Sequence, residues 1–485
     1  MKSKGYVCLA MALLSTLALT VGTTAQNGQS AVAKHHRYKV VDLGTFGGPG
    51  STVNCCAHQI NARGAVVGSA DTSAANPNPG CFNGPLGFSD CNVNQAFKWR
   101  DGTLTDLGAL PGGYNSFSQA INAHGTVVGS AENGVTDPIL GIAEFEAVLW
   151  HHGQITNLGT LGGNESLAFD VNDRGQVVGF SANAVPDPAS MFGFATQTRP
   201  FLWKDGVMRD LDTLGGTNGV AFMMNKRGQI MGQFYVQGTT NIDTIFWDED
   251  GNAVDVGSLG GTNANCSTCG PWFINDRGQI AGNSTLAGDA THHAFVWDQG
   301  ALTDLGTLGG DNSDANWIND SGLVVGRADV PGSLTHHGFI WKHGVMTDLG
   351  VIGGDACSTA YAVNSSGVIV GDAGICFVGG RAWLSDNGGP MLDLNDLALP
   401  GSGLHLQDAR LINDRGEIVC TGVLSNGDMH AVLLIPVDDD DDDNAVRTAS
   451  TPSPAPRHAS SEARRSPQSR WSYRNRIPGA QSPSR

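Results

Sequence analysis

Four ionisable side chains stand where the repeated pattern of this 485-residue chain is broken: His58, Asp170, Asp314 and His405. Each lies near the start of a repeated segment in which the other copies carry something else. Carboxylates and imidazoles that are not themselves repeated are what hydrolysis of a polysaccharide would need. One group gives a proton to the leaving oxygen and another takes one from water. The four are spread over separate repeats, with no nucleophile elbow and no metal motif, so the sequence commits to no catalytic residue. Two histidine pairs, His292-His293 and His336-His337, occupy matching positions in successive repeats, where two pairs could share a metal ion. Exposed loop histidines are the commoner meaning of such pairs. Cys266-Ser-Thr-Cys269 lacks the second cysteine or histidine pair of a zinc site. The expectation is therefore no metal and no cofactor.

The elements that must position such groups are read from two alternating phrases. The first, INDRGQIAGN at 274–283, recurs eight times, as in VNDRGQVVG at 171–179 and INDSGLVVG at 318–326. The second is typified by AVLWHHGQITNLGTLGG at 147–163. Together they make a unit of about 44 to 53 residues between aligned tryptophans, with 67 glycines in the whole chain. Each unit carries four strand signals: S-x-A-x-x-I-N, G-x-V-V-G, A-F-x-W and a short run ending in D-L-G. All are short, rich in Val, Ile, Leu and aromatics, and bounded by Gly or Asn. None holds a helical period.

Turn chemistry accounts for the most constant residues. Asn-x-x-Gly suits a type I turn closed by a glycine at positive φ. Asn61, Asn122, Asn172, Asn225, Asn275, Asn319, Asn364 and Asn413 are therefore expected as turn residues rather than as a ring of ligands. The series Trp99, Trp150, Trp203, Trp247, Trp297 and Trp341 is expected in the core, and Trp383 is displaced from it by one position.

Four short antiparallel strands per unit make the blade of a β-propeller. The repeat array begins with a lone fourth strand, YKVVDLG at 38–44, and its last unit, at about 404–437, has only three. Pairing the first strand with the last unit would close the ring and remove two exposed edges. The expected fold is thus all-β: an eight-bladed propeller, with seven blades as the alternative. The blade grammar resembles kelch repeats. The fuller similarity is to the HAF family of probable extracellular repeat proteins. It is carried by His293-Ala294-Phe295, by W-x-x-G-x-x-x-D-L-G-x-L-G-G and by I-N-x-x-G-x-V-V-G, over residues 38–437. That resemblance implies export and repetition and brings no established activity.

Residues 1–25 read as a signal peptide, with Lys2 and Lys4 before an apolar stretch at 6–21. Residues 26–37 read as a leader, and 438–485 as an acidic spacer followed by a disordered Arg/Ser/Pro-rich tail. No later stretch would span a bilayer, so a secreted monomer is expected, extracellular or periplasmic. Cys55, Cys56, Cys81, Cys91, Cys266, Cys269, Cys357 and Cys376 are expected in disulfides on or beside the long-loop face. The expected pairs are Cys357–Cys376, Cys266–Cys269, and two bridges from Cys55 and Cys56 to Cys81 and Cys91. Cys420 remains as a lone buried thiol. The net charge of −18 argues against nucleic acid as partner. The loops at 69–94, 130–146 and 180–199 are long, and loops that vary on a constant scaffold usually recognise ligands. The expected function is a secreted non-enzymatic scaffold binding a protein or glycan through those loops. The alternatives are an extracellular propeller hydrolase acting on polysaccharide and a structural surface or matrix component.

Overall fold

The structure, a computed structural model, describes residues 37–53, 58–81, 91–263, 270–332 and 335–437. It holds eight four-stranded antiparallel sheets arranged as the blades of a β-propeller. In blades one to seven the four strands of each sheet follow one another in sequence. Blade three, for example, is built from Gly162–Val171, Val177–Pro186, Thr196–Lys204 and Val207–Asp210. Blade eight takes His405–Ile412, Ile418–Val423 and Met429–Val437 from the end of the array and Arg37–Asp42 from its start. Those last two strands pair from Arg37↔Val437 to Asp42↔Val432. The ring is thereby closed by the chain's own beginning, with no lone edge left at the join. Ala431 N donates to Ser51 Oγ across the same seam at 3.0 Å.

The asparagines do more than turn the chain. Asn275 Oδ1 accepts from Arg277 N at 3.1 Å and Gln279 N at 2.9 Å, and its Nδ2 donates to Asn319 O of the next blade at 3.0 Å. The same side-chain-to-backbone step joins Asn61 to Asn122, Asn122 to Asn172, Asn225 to Asn275, Asn319 to Asn364, Asn364 to Asn413, and Asn413 back to Asn61. Asn172 donates instead to Gln176 Oε1, at 2.8 Å. One residue type thus satisfies a turn and ties neighbouring blades, which belong to separate sheets.

The glycine of V-V-G has an equally local cause. The first strand is bulged between the third and fifth letters of S-x-A-x-x-I-N, as between Ala168 and Asp170. The bulge presses a carbonyl onto the second strand, so a Cβ at Gly179 would lie 1.9 Å from Leu167 O and 2.9 Å from the Phe201 ring. Cys420 fills this place in blade eight. There Val432 replaces the aromatic ring opposite, and a further register shift falls just before the bulge, between Leu406 and Asp408.

The His of His-Ala-Phe also has a structural task. His293 Nδ1 meets the Asp304 carboxylate and His337 meets Asp348, each at 2.9 Å, joining the third strand to the D of D-L-G. His430 meets Asp42 at the same distance and so pins the closing strand.

Two expectations need correction. Cys81 and Cys91 pair with each other and not with Cys55 or Cys56; Cys357 pairs with Cys376. Cys55, Cys56, Cys266 and Cys269 lie outside the described residues. Two disulfides fit a protein of an oxidising compartment. The long loops of blades two and three are, for much of their length, strand, and in blade one strand continues to Ala75. Pairing continues from Ser130↔Ala147 to Thr136↔Ala143 in blade two, and from Phe180↔Pro200 to Pro186↔Thr196 in blade three. The sequence hid these arms because polar and small residues fill them. Among the described residues no helix is long and apolar enough to cross a membrane.

Candidate functional site

The first strands converge on the ring axis. His58, in blade one, reaches Asp170 of blade three and lies edge-on to Phe273 of blade five, with ring centroids 5.6 Å apart. Phe273 stacks on Trp317 of blade six at 3.7 Å. Trp317 in turn packs against core residues of several blades, including those of blades seven and eight. These residues occupy the two adjacent x positions of S-x-A-x-x-I-N. The bulge aims them at the axis, where side chains from opposite blades meet.

His58 and Asp170 are brought together from positions 112 residues apart. Nδ1 of His58 lies 3.0 Å from Asp170 Oδ1; the carboxylate is 1% exposed and the imidazole 36%. Asp170 also accepts from Val171 N and Met224 N, each at 2.9 Å. Burial disfavours the imidazolium, but the Asp170 charge outweighs it and the His58 pKa is raised.

Asp314 belongs to a second group, on blades five and six. Arg327 Nε and a terminal nitrogen of Arg327 both meet its Oδ2 at 2.7 Å. His292 Nε2 lies 3.1 Å from Oδ1, and Asn283 Nδ2 donates to Oδ1 at 2.6 Å. Burial alone would raise its pKa, yet Arg327 and then His292 hold it well below the usual carboxylate range. His405 joins neither group and bonds Gly380 O at 2.7 Å. His336 lies 3.6 Å from the Cys357 sulfur. The two histidine pairs therefore have separate partners. Among the described residues no three His, Cys, Asp or Glu side chains converge as metal ligands would.

The densest chemistry was missed in the sequence. It lies on blades seven and eight. Asp372 follows the V-G of blade seven and is buried beside Tyr361 and Thr359, both of which bond to it. Burial, reinforced by Asp408 and opposed by Arg410, raises its pKa to about 6. Arg410 donates to Asp408 Oδ2 at 2.8 Å, and its guanidinium lies over the Tyr361 ring at 4.6 Å. Asp408 also accepts from Thr421 N at 3.1 Å. Burial, and then the Asp372 charge, push the Tyr361 hydroxyl up. Tyr361, Arg410 and His58 hold one and the same repeat position, three before the turn asparagine, in consecutive blades seven, eight and one. The signal was the set of x letters in S-x-A-x-x-I-N, together with the residue after V-V-G. These positions carry different chemistry in different blades, while their neighbours stay constant.

At the rim, Phe377 sits with its ring 4.8 Å from His336 and 5.3 Å from the Arg327 guanidinium. It belongs to the tip carrying Cys376, so the Cys357–Cys376 bridge pins it there. The opposite sector, on blades two to four, is apolar. Phe117, Leu167, Phe169, Phe180 and Val220 pack there, with Phe192 and Phe194 of the blade-three tip folded over them.

No family model matches the chain, and no curated protein does. Among solved structures it is similar to the β-propeller domain of the Trilobed protease from Pyrococcus furiosus. The identity there is 10% over 74% of this chain and 95% of that one, with a TM-score of 0.39. It is similar to Porphyromonas gingivalis dipeptidyl peptidase 4 at 9% identity over 69% of this chain and 54% of that one, TM-score 0.38. A third is an oligogalacturonate lyase in complex with manganese, at 11% identity over 61% and 83%, TM-score 0.35. The expectation of a non-enzymatic scaffold reading ligands through long loops is corrected. Its own buried ionisable groups gather on the axis.

Proposed function

We propose that this protein is an extracellular propeller hydrolase acting on a polysaccharide at the axial face of blades seven and eight. One observation carries the reading: Asp372 is buried, bonded to Tyr361 and Thr359, and placed beside the Asp408–Arg410 pair. Its raised pKa leaves a carboxylic acid proton available in mildly acidic water. Glycoside hydrolysis needs that combination of one carboxyl group that gives a proton and a second that receives one. In the proposed reaction Asp372 protonates the leaving glycosidic oxygen as its bond to the anomeric carbon breaks. Water attacks that carbon, and the Asp408 carboxylate takes the water's proton. Passing this proton back to Asp372 resets the site. Arg410 holds Asp408 in place and, through its stacking, Tyr361.

The reading includes export, supported by the signal-like segment at 1–25 and the two disulfides. It keeps the HAF resemblance as the proposed affiliation. The test is release of reducing ends from a panel of plant, fungal and bacterial-envelope polysaccharides by purified residues 26–443, beside Asp372→Asn and Asp408→Asn. Turnover by the wild type with a loss of at least about a hundredfold in each variant is expected. Equal turnover by Asp372→Asn, or none by the wild type on any polymer, refutes it.

A further inference from the structure

Trp272, like Trp317, lies outside the repeated third-strand series, but unlike Trp317 it has no aromatic ring stacked on it among the described residues. The tryptophans of the repeated series lie on third strands among apolar neighbours, and Trp247 and Trp383 are fully buried. Trp272 lies on the first strand of blade five, at the same axial repeat position as Tyr361 and Arg410, and is partly exposed. Its Nε1 donates to Asn283 Oδ1 at 2.6 Å, and Asn283 Nδ2 donates to Asp314 Oδ1 at 2.6 Å. Asp314 is itself fixed by Arg327 and His292. The indole edge is thus tied into a polar relay, and no aromatic ring among the described residues packs against its face. An indole with its N–H satisfied and part of its surface exposed suits the C–H face of a sugar ring.

We propose that Trp272 is the platform on which a pyranose ring of the substrate stacks, making blade five the specificity-determining side of the site. The inference rests on the hydrolase reading above, and it adds the substrate class: a glycan whose sugar ring presents an apolar C–H face. The Asn283–Asp314 relay sets the angle of the indole, so both are positioning residues.

The experiment uses the Asp372→Asn protein, which keeps the site but removes the proposed acid. Cellohexaose, xylohexaose, laminarihexaose, chitohexaose and mannohexaose are titrated by calorimetry and by tryptophan fluorescence. At least one probe is expected to bind. Adding Trp272→Ala is expected to weaken that probe by about tenfold, the scale of one aromatic contact. Adding Trp272→Phe is expected to stay within about threefold while the fluorescence response disappears. This last readout is independent of any folding defect in the alanine variant. Binding unchanged in Trp272→Ala, or a fluorescence response persisting in Trp272→Phe, overturns the platform alone. Failure of every probe to bind Asp372→Asn overturns both the platform and the hydrolase reading.

Discussion

Replacing Glu165 by Gln is expected to stabilise the propeller, and to do so only above mildly acidic pH. Glu165 sits just before the serine of S-x-A-x-x-I-N in blade three. Other blades carry Asn at this place: Asn115 Nδ2 donates to Glu132, Asn218 to Asp187 and Asn312 to Asp329. The partner is a carboxylate each time, so the position demands a donor. In blade three the partner is Asp137, and Glu165 meets the demand only as a protonated acid. Burial, then the Asp137 bond and charge, raise its pKa from 4.5 to about 9. Its Oε1 is buried without a hydrogen-bond partner. A folded pKa above the unfolded one means the folded state keeps a proton that the unfolded chain has released. For an acid this costs nothing below the unfolded value of 4.5 and grows as pH rises toward 9. At pH 7 the gap is roughly 2.5 pH units, or about 3 kcal/mol as an upper figure. At about 2.1 cal/mol/K per residue over roughly 400 residues, that corresponds to a Tm rise of about 4 °C. Differential scanning calorimetry of both proteins at pH 5, 6, 7 and 8 reads it. The Tm gap should widen steadily with pH. A gap that stays flat, or a variant less stable at pH 8 than the wild type, refutes the stand-in role.

The remaining predictions concern the site and the ring. Because Asp372 must be protonated to act and its pKa is raised to about 6, kcat/KM on a cleaved polymer should fall as pH rises through that value; a profile flat from pH 5 to 8 contradicts it. Gly179→Ala places a Cβ 1.9 Å from Leu167 O, so urea unfolding should show a loss of about 3 kcal/mol or more; a change within about 0.5 kcal/mol would mean the bulge does not dictate this glycine. Asn275→Asp keeps the turn acceptors but sets an oxygen against Asn319 O, and is expected to cost about 2 kcal/mol at neutral pH, relieved in acid. Equal stability at pH 7 would mean the blade-to-blade link contributes nothing.

Strand count, turn positions and the closing strand were legible because each is dictated locally. YKVVDLG alone lacked three partners, and the last blade alone lacked a fourth strand, so the 37–42 pairing with 432–437 could be read from incompleteness. The site was less legible because its position is a product of the bulge. Asp170 and His58 stood out as unusual residues, but nothing in the chain tells that position 58 crosses the axis to position 170. Asp372 looked like any residue after V-V-G until the bulge turned that position and Tyr361 into neighbours. The motif letters treated as filler carry the chemistry, while the constant letters carry the fold. The extended arms of blades one to three escaped notice because Ala, Ser, Asn and Glu give little strand signal on their own. Their pairing is sustained by the hairpin below them. Polar links across the blades, such as Asn78 to Glu132 at 2.5 Å, support it further.

The most direct test is a crystal structure of Asp372→Asn soaked with the hexasaccharide that binds it best. Sugar density on the axis, within hydrogen-bond reach of Asp408 and Arg410, is the predicted result. Sugar held only at the hairpin tips of blades one to three, with the axis empty, would contradict the placement of catalysis on the axis.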